Sequence, residues 1–359
     1  MKKISITILS IILGVGTILI LAYFIGFGKI REATGLVSLK NICLLALISF
    51  IQSLLTCIAL RRILFSFGIR KKMDILSLYN FELIKSAISY ITPFLNTGGE
   101  PLQIYLLKKY KKVPLKTGIS AVILDKVLRL SLSIALVFLG ILITFFVSRI
   151  SIKAIILIIL IILPAVLMLY FFYKKSLVSD SEGIINFLLL IFCGIFRLSF
   201  LKKIKDPVGK IDKAITYFLK NKVKEILILS YINALIVLST FLQFYIILNS
   251  LNYNPTLSDL LIIFTVFNLS ILIPIPAGLG VFEVGGTGIF IIQGIGANLG
   301  FVFALVLRVV NIITTIPGLI LTFHYGIRLR KAIKISIKTL VQHLGQKTSG
   351  NGIFRNHES

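Results

Sequence analysis

The chain has 359 residues, 57% of them apolar and only 14% charged, with a formal net charge of +26 and a mean hydropathy of +1.01. Several apolar runs exceed the ~18 residues that mark a membrane-span candidate, which excludes an ordinary soluble globular protein. The polar stretches 174–224 and 324–359 leave little room for a soluble catalytic domain, since domains rarely fall below ~50 residues.

Residues 4–27 follow Met1-Lys2-Lys3 and form the first apolar run. The run is too long for a cleaved signal peptide and has no small-x-small site before Lys29, so a retained signal-anchor span is expected. Residues 41–60 span back and end on Arg61-Arg62. Asp74 offers an N-cap to an apolar segment that stops at Pro93. A Gly-Gly turn and a short helix over 101–110 lead into a basic loop. Basic residues thus stand on both sides of the segment 75–110, which reads as a re-entrant hairpin entered from the cytoplasm. Residues 117–147 span outward and 152–173 return.

Residues 184–200 are apolar enough to count as a span. A further crossing would place the basic tail outside, so 184–222 is read as interfacial amphipathic helices on the cytoplasmic leaflet, with a true span as the alternative. Residues 225–248 span outward. Thr256-Leu257-Ser258-Asp259 looks like a capping box opening an apolar run that ends at Pro274 and Pro276. The loops around the unit 257–297 lack Lys and Arg, so this second hairpin should enter from outside. Residues 299–322 return to the cytoplasm.

The charges fix this orientation. Segments 61–72 and 108–116 carry five Lys or Arg each, 197–224 carries nine and the tail from 324 carries seven. Loops 29–40 and 149–153 carry three and two, while 249–258 and 293–300 carry none. The basic residues flank apolar runs, as the positive-inside rule expects, and do not signal nucleic acid. The fold expected is an all-α polytopic membrane protein with about six full spans and two re-entrant hairpins in an inverted-topology repeat. The membrane domain covers 1–323, divided into a first half 1–173, an interfacial segment 174–224 and a second half 225–323. A basic cytoplasmic tail covers 324–359. Both termini are expected in the cytoplasm, in the cell membrane.

Two stretches share an unusual pattern. One reads Ile91-Thr92-Pro93-Phe94-Leu95-Asn96-Thr97-Gly98-Gly99-Glu100-Pro101; the other reads Leu272-Ile273-Pro274-Ile275-Pro276-Ala277-Gly278-Leu279-Gly280-Val281-Phe282-Glu283. Each has an apolar run, Pro, a Gly-rich turn and a lone Glu, and each precedes an apolar helix with one Arg, Arg129 or Arg308. Pro93 and Arg129 are 36 residues apart, Pro274 and Arg308 34. Matched breaks in the two halves of a membrane protein point to a binding site near the midplane.

Of thirteen acidic residues, Glu82, Glu100, Asp125 and Glu283 fall at or near membrane depth. Charges there are costly and normally pair inside the bundle; Lys85, Lys126, Arg129 and Arg308 are the available partners. Glu82 with Lys85 reads as a local helical pair. Asp125 with Arg129, one turn apart, is equally balanced between structure and function. Glu100 and Glu283 follow glycine turns, where helix N-termini offer N–H groups and a positive dipole end to an anion. Gly98, Gly99, Glu100, Asp125, Arg129, Gly278, Gly280, Glu283 and Arg308 therefore form the candidate head-group site, with the arginines suited to a phosphate and the glutamates to a cationic group or a proton. Cys43, Cys57 and Cys193 lie in apolar runs without ligand spacing, and His324, His343 and His357 all lie in the tail. No metal, cofactor or catalytic residue is expected.

The segments TPFLNTGGEPLQIYLL…LDKVLRLSLS and IPIPAGLGVFEVGGTGIF resemble the flippase-like integral membrane family, also called the lysylphosphatidylglycerol synthase transmembrane-region family. The family includes the membrane half of the multiple peptide resistance factor, and the resemblance covers about residues 5–325. It implies translocation of a phosphate-containing lipid, either aminoacyl-phosphatidylglycerol or a polyprenyl-phosphate carrier. Two-domain relatives add a soluble aminoacyl-tRNA-dependent transferase; nothing here matches it, so the chain is not expected to be an enzyme. A small-solute secondary transporter, or an accessory membrane subunit of a partner synthase or glycosyltransferase, are the alternatives.

Overall fold

The computed structural model describes residues 23, 27–69, 73–92, 98–147, 163, 167, 205–270, 275 and 278–325. Apart from isolated positions, the expected spans 4–27 and 152–173 lie outside the described residues. So do segment 184–200, Pro93, Pro274 and Pro276, and the tail beyond 325. All regular structure among the described residues is helical.

Local chemistry sets the helix ends. Helix α1 (Phe27–Gly35) occupies part of the stretch expected as a loop; Lys29-Ile30-Arg31-Glu32-Ala33 contains no breaker and several strong helix formers. Helix α2 (Leu39–Ser66) starts at Ser38, whose hydroxyl accepts from the Asn41 N–H. Helix α3 (Ile75–Ile91) is capped by Asp74, as expected, with Ser77 N–H donating at 3.0 Å. Helix α4 (Glu100–Lys111) carries Pro101 in its first turn and ends at Lys112 in the left-handed region. Helix α5 runs Leu115–Val147, α6 Lys205–Asn221 and α7 Val223–Ser250. Helix α8 (Leu257–Ser270) opens on the expected reciprocal cap. Thr256 N–H donates to Asp259 Oδ2, and Asp259 N–H donates to Thr256 Oγ1. Helices α9 (Val281–Ile292) and α10 (Ala297–His324) complete the order.

Among the described residues four helices are long and apolar enough to cross a membrane: α2, the Leu115–Ile143 part of α5, α7 and α10. They coincide with the expected spans 41–60, 117–147, 225–248 and 299–322. Between them stand the two helix–turn–helix units, α3–α4 and α8–α9. Large side chains such as Leu227, Tyr231, Leu238, Ile316 and Ile320 are exposed on the outside of this bundle, where lipid is the natural solvent.

Packing relates the two halves by exchange. Helix α2 lies against α7, α3 against α10, and α8 against α5. Swapping α2 with α7, α3 with α8, α4 with α9 and α5 with α10 turns this set of contacts into itself. The central pair runs antiparallel: Asn41 bonds Ser250, Gln52 bonds Ser239 and Thr240, and Arg62 bonds Glu225. Matched glycines allow the crossed contacts. A Cβ on Gly140 of α5 would lie 2.1 Å from Thr265 Oγ1 of α8, and one on Gly318 of α10 would lie 2.2 Å from the Leu83 carbonyl of α3. The backbones therefore approach as closely as small residues permit in membrane helix packing.

Two apolar cores result. One joins the last turns of α2 with α3, α4, the first part of α5, α6 and the first turns of α7, with Leu60, Phe81, Ile84, Leu102, Phe218 and Leu229 buried. The amphipathic α6 turns Ile211, Ile215, Phe218 and Leu219 into it. The other joins the last turns of α7 with α8, α9, α10, the far end of α5 and Leu45 of α2 around tilted and edge-on rings of Phe244, Phe267, Phe290 and Phe303. Helices α2 and α7 contribute to both cores, Leu60 and Leu229 to the first and Leu45 and Phe244 to the second, and meet through polar side chains between them.

Candidate functional site

The second turn builds a closed unit. Gly278 and Gly280 take φ +58 and +79, which glycine adopts without the strain a Cβ brings. The chain thereby reverses into α9 and leaves the Gly280 N–H pointing at the first helical turn. Glu283 accepts that N–H with Oε2 at 2.9 Å. Its other oxygen accepts from Arg308 Nε, also at 2.6 Å from Nη2. Glu283 is fully buried. The Arg308 guanidinium further reaches the Gly278 carbonyl at 3.4 Å and faces the Tyr90 hydroxyl of α3. One carboxylate thus caps a helix and neutralises an arginine from the next span.

The first turn builds a wider cluster. Gly99 N–H donates to Ser89 Oγ at 3.0 Å, and a Cβ on Gly99 would lie 2.0 Å from the Lys85 carbonyl; Gly98 packs as tightly against Thr92. Glu100 pairs with Lys126 at 2.6 Å. One turn along α5, Asp125 pairs with Arg129 at 2.6 Å, and Arg129 also donates to Thr56 of α2. Glu82 pairs with Lys85, as the sequence spacing predicts, and also accepts from Gln103 of α4 at 3.0 Å. Arg129 feels the charges of Asp125, Glu82 and Glu100 together. Three carboxylates therefore face three cations in one partly buried patch.

The two clusters differ in how fully their hydrogen-bonding groups are used. Glu100 Oε2, Asp125 Oδ1 and Arg129 Nε are buried without a hydrogen-bond partner among the described residues. Buried polar atoms are satisfied in the great majority of cases, so three orphans in one cluster call for a ligand or bound water.

Sequence reasoning named both clusters but missed what lies between them. A half-open cavity of about 200 Å³ is lined by Ser49, Gln52, Ser53, Ser86, Gln243, Asn311, Thr314 and Thr315, with Leu83, Leu307 and Val310. Leu83 adjoins Glu82, Leu307 adjoins Arg308, and Thr56, which Arg129 contacts, lies one turn from Gln52 on the same face of α2. The signal was present as polar stripes at helical spacing, Ser49/Gln52/Ser53/Thr56 and Arg308/Asn311/Thr315, inside otherwise apolar runs.

Paired ionised groups at two turn–helix junctions, held inside a bundle of apolar spans around a polar cavity, define a polytopic helical membrane protein with an internal polar site. The family described as "Lysylphosphatidylglycerol synthase TM region" matches residues 7–318. The chain belongs to that family, as the resemblance in its two turn motifs implied. No curated protein and no solved structure matches it.

Proposed function

We propose that this protein translocates a phosphate-containing lipid across the cell membrane, with aminoacyl-phosphatidylglycerol or a polyprenyl phosphate as the substrate class. The observation that carries this reading is the set of orphaned atoms in the first cluster. Arg129 Nε is an unused charged donor suited to a phosphate oxygen. Glu100 Oε2 and Asp125 Oδ1 are unused acceptors suited to an ammonium group. A head group carrying both charges satisfies all three, which favours the aminoacylated lipid of the two classes.

The inverted arrangement gives the two halves equivalent roles. Each turn unit enters from one face of the membrane, the first from the cytoplasm and the second from outside, and both termini are cytoplasmic. Membership of the family and the crossed, antiparallel packing support this reading. The protein itself performs no covalent chemistry on the lipid; a separate synthase or glycosyltransferase would supply it.

Reconstitution into liposomes with fluorescent lysyl-phosphatidylglycerol, phosphatidylglycerol and a polyprenyl phosphate tests the proposal. Loss of one charge-assisted hydrogen bond, about 1.5–3 kcal/mol, should slow movement of every phosphate lipid by roughly ten-fold or more in Arg129→Gln. Glu100→Gln should slow the lysyl lipid far more than the other two. Rates unchanged for all three lipids in both variants would remove the first cluster from any transport path.

A further inference from the structure

The cavity between the clusters has a chemistry of its own: its lining contains no charged side chain. Its polar groups divide into two kinds. Ser53 and Thr314 donate back to carbonyls of their own helices, Ser49 and Val310, and so turn oxygen lone pairs towards the space. Gln52 gives its amide N–H groups to Ser239, Thr240 and Gln243, which leaves its carbonyl oxygen as an acceptor. By contrast Ser86, Asn311 and Thr315 lack side-chain partners among the described residues, and retain their donors.

This mixture selects among ligands. A phosphate asks for donors only and an ammonium for acceptors only. Either ion would also lose its hydration without meeting an opposite charge, which is expensive. A hydroxyl group donates and accepts at once, and so uses both kinds of lining atom. The volume of about 200 Å³ suits a head-group fragment rather than a whole lipid; at ~30 Å³ per water it matches roughly six or seven waters. Its position in mid-span, between Glu82 and Arg308 and away from either end of α2 or α10, places such a fragment halfway across the bundle.

We propose that this cavity binds an uncharged hydroxylated group, a sugar ring or a glycerol unit, as the mid-membrane station of a lipid head group. The inference rests on the translocation reading for the word station, but not for the binding chemistry. The first cluster, with its unused atoms, holds the charged parts of a head group, and the cavity holds the part that carries only hydroxyls.

The test uses the full chain in phosphatidylcholine nanodiscs. The probes are monoglucosyl diacylglycerol, phosphatidic acid and free methyl glucoside. Asn311→Leu with Thr315→Val removes unpartnered donors, so no internal hydrogen bond is lost; an unchanged thermal midpoint checks this. Affinity for the glucolipid should fall by about ten-fold or more, with phosphatidic acid unaffected and Thr315→Ser close to wild type. Equal losses for both lipids, or none for the glucolipid, would overturn the proposal. Equal affinity for free methyl glucoside and the glucolipid would overturn the lipid assignment and point to a soluble solute. A liposome flipping measurement on the same variant separates the two readings. Cavity-dependent binding without movement retains the site and removes translocation, whereas movement without cavity-dependent binding removes the site.

Discussion

Arg308→Gln should be among the most damaging single substitutions in the bundle. Glu283 is fully buried and is held by three donors, the Gly280 N–H and two guanidinium nitrogens of Arg308. Removing Arg308 leaves a buried carboxylate with a single backbone donor. Leaving one partner of a buried ion pair uncompensated costs about 3–5 kcal/mol. Glu283→Gln strands the arginine instead, but Arg308 keeps the Gly278 carbonyl and the Tyr90 hydroxyl and is 13% exposed, so its cost should sit near the lower end, about 3 kcal/mol. The double variant Glu283→Gln/Arg308→Gln removes both charges together. It should cost about as much as Arg308→Gln alone, so the coupling equals the Glu283→Gln cost, about 3 kcal/mol. Unfolding of the purified protein by SDS in mixed micelles reads all four corners of the cycle. Additive losses, or an Arg308→Gln cost under about 1 kcal/mol, would refute the reasoning and leave Arg308 as an independent ligand group.

Gly140→Val and Gly318→Val should each destabilise by about 1–3 kcal/mol or more, because each side chain would drive into the backbone or hydroxyl of the crossed helix; losses in one variant alone would break the equivalence of the two halves in the same unfolding measurement. Asp74→Ala removes an N-cap worth about 1 kcal/mol. Lys111 and Ser77 hold the Asp74 carboxyl well below the usual carboxylate range, so its stabilisation is full above the ordinary Asp pKa of about 4 and fades as pH falls through the lower folded value. The difference between wild type and Asp74→Ala in thermal midpoint should therefore hold from pH 7 to about 5 and shrink in stronger acid. In a background free of Cys43, Cys57 and Cys193, cysteines at the exposed positions Lys112 and Asn252 should react with an impermeant thiol reagent from opposite faces of sealed vesicles; reaction from one face would overturn the orientation.

The four spans were legible because each is an uninterrupted apolar run bounded by polar residues, as at Ser38 and Arg61-Arg62 for α2. The caps at Asp74 and Thr256–Asp259 were legible because capping is local, within three residues. Pairing was legible only where it was local too. Glu82–Lys85 and Asp125–Arg129 follow from helical spacing, whereas Glu283 and Arg308 lie 25 residues apart, and the sequence names partners open to Glu283 without choosing one. Lys126 joins Glu100 across the turn for reasons that only packing reveals. The cavity was missed because serine, threonine, asparagine and glutamine are scattered along four helices and look like tolerated polar residues until the helices converge. Helix α1 was missed because its charged residues read as a loop, although none of them breaks a helix.

The seam between α2 and α7 has a mechanical consequence. Gln52 lies within bonding distance of three acceptors at once, Ser239, Thr240 and Gln243, and Gln243 in turn reaches both the Leu45 carbonyl and Ser49. A seam of interlocked leucines resists displacement, since every step opens a gap. Here the contact is degenerate: if one helix slides, an amide leaving one oxygen meets the next. A small slide of α2 along α7 then exchanges bonds at this seam instead of breaking them, while the apolar cores at its two ends, to which both helices contribute, and the close crossings at Gly140 and Gly318 set how far it can go. The central joint works as a ratchet with closely spaced teeth and a stop at each end.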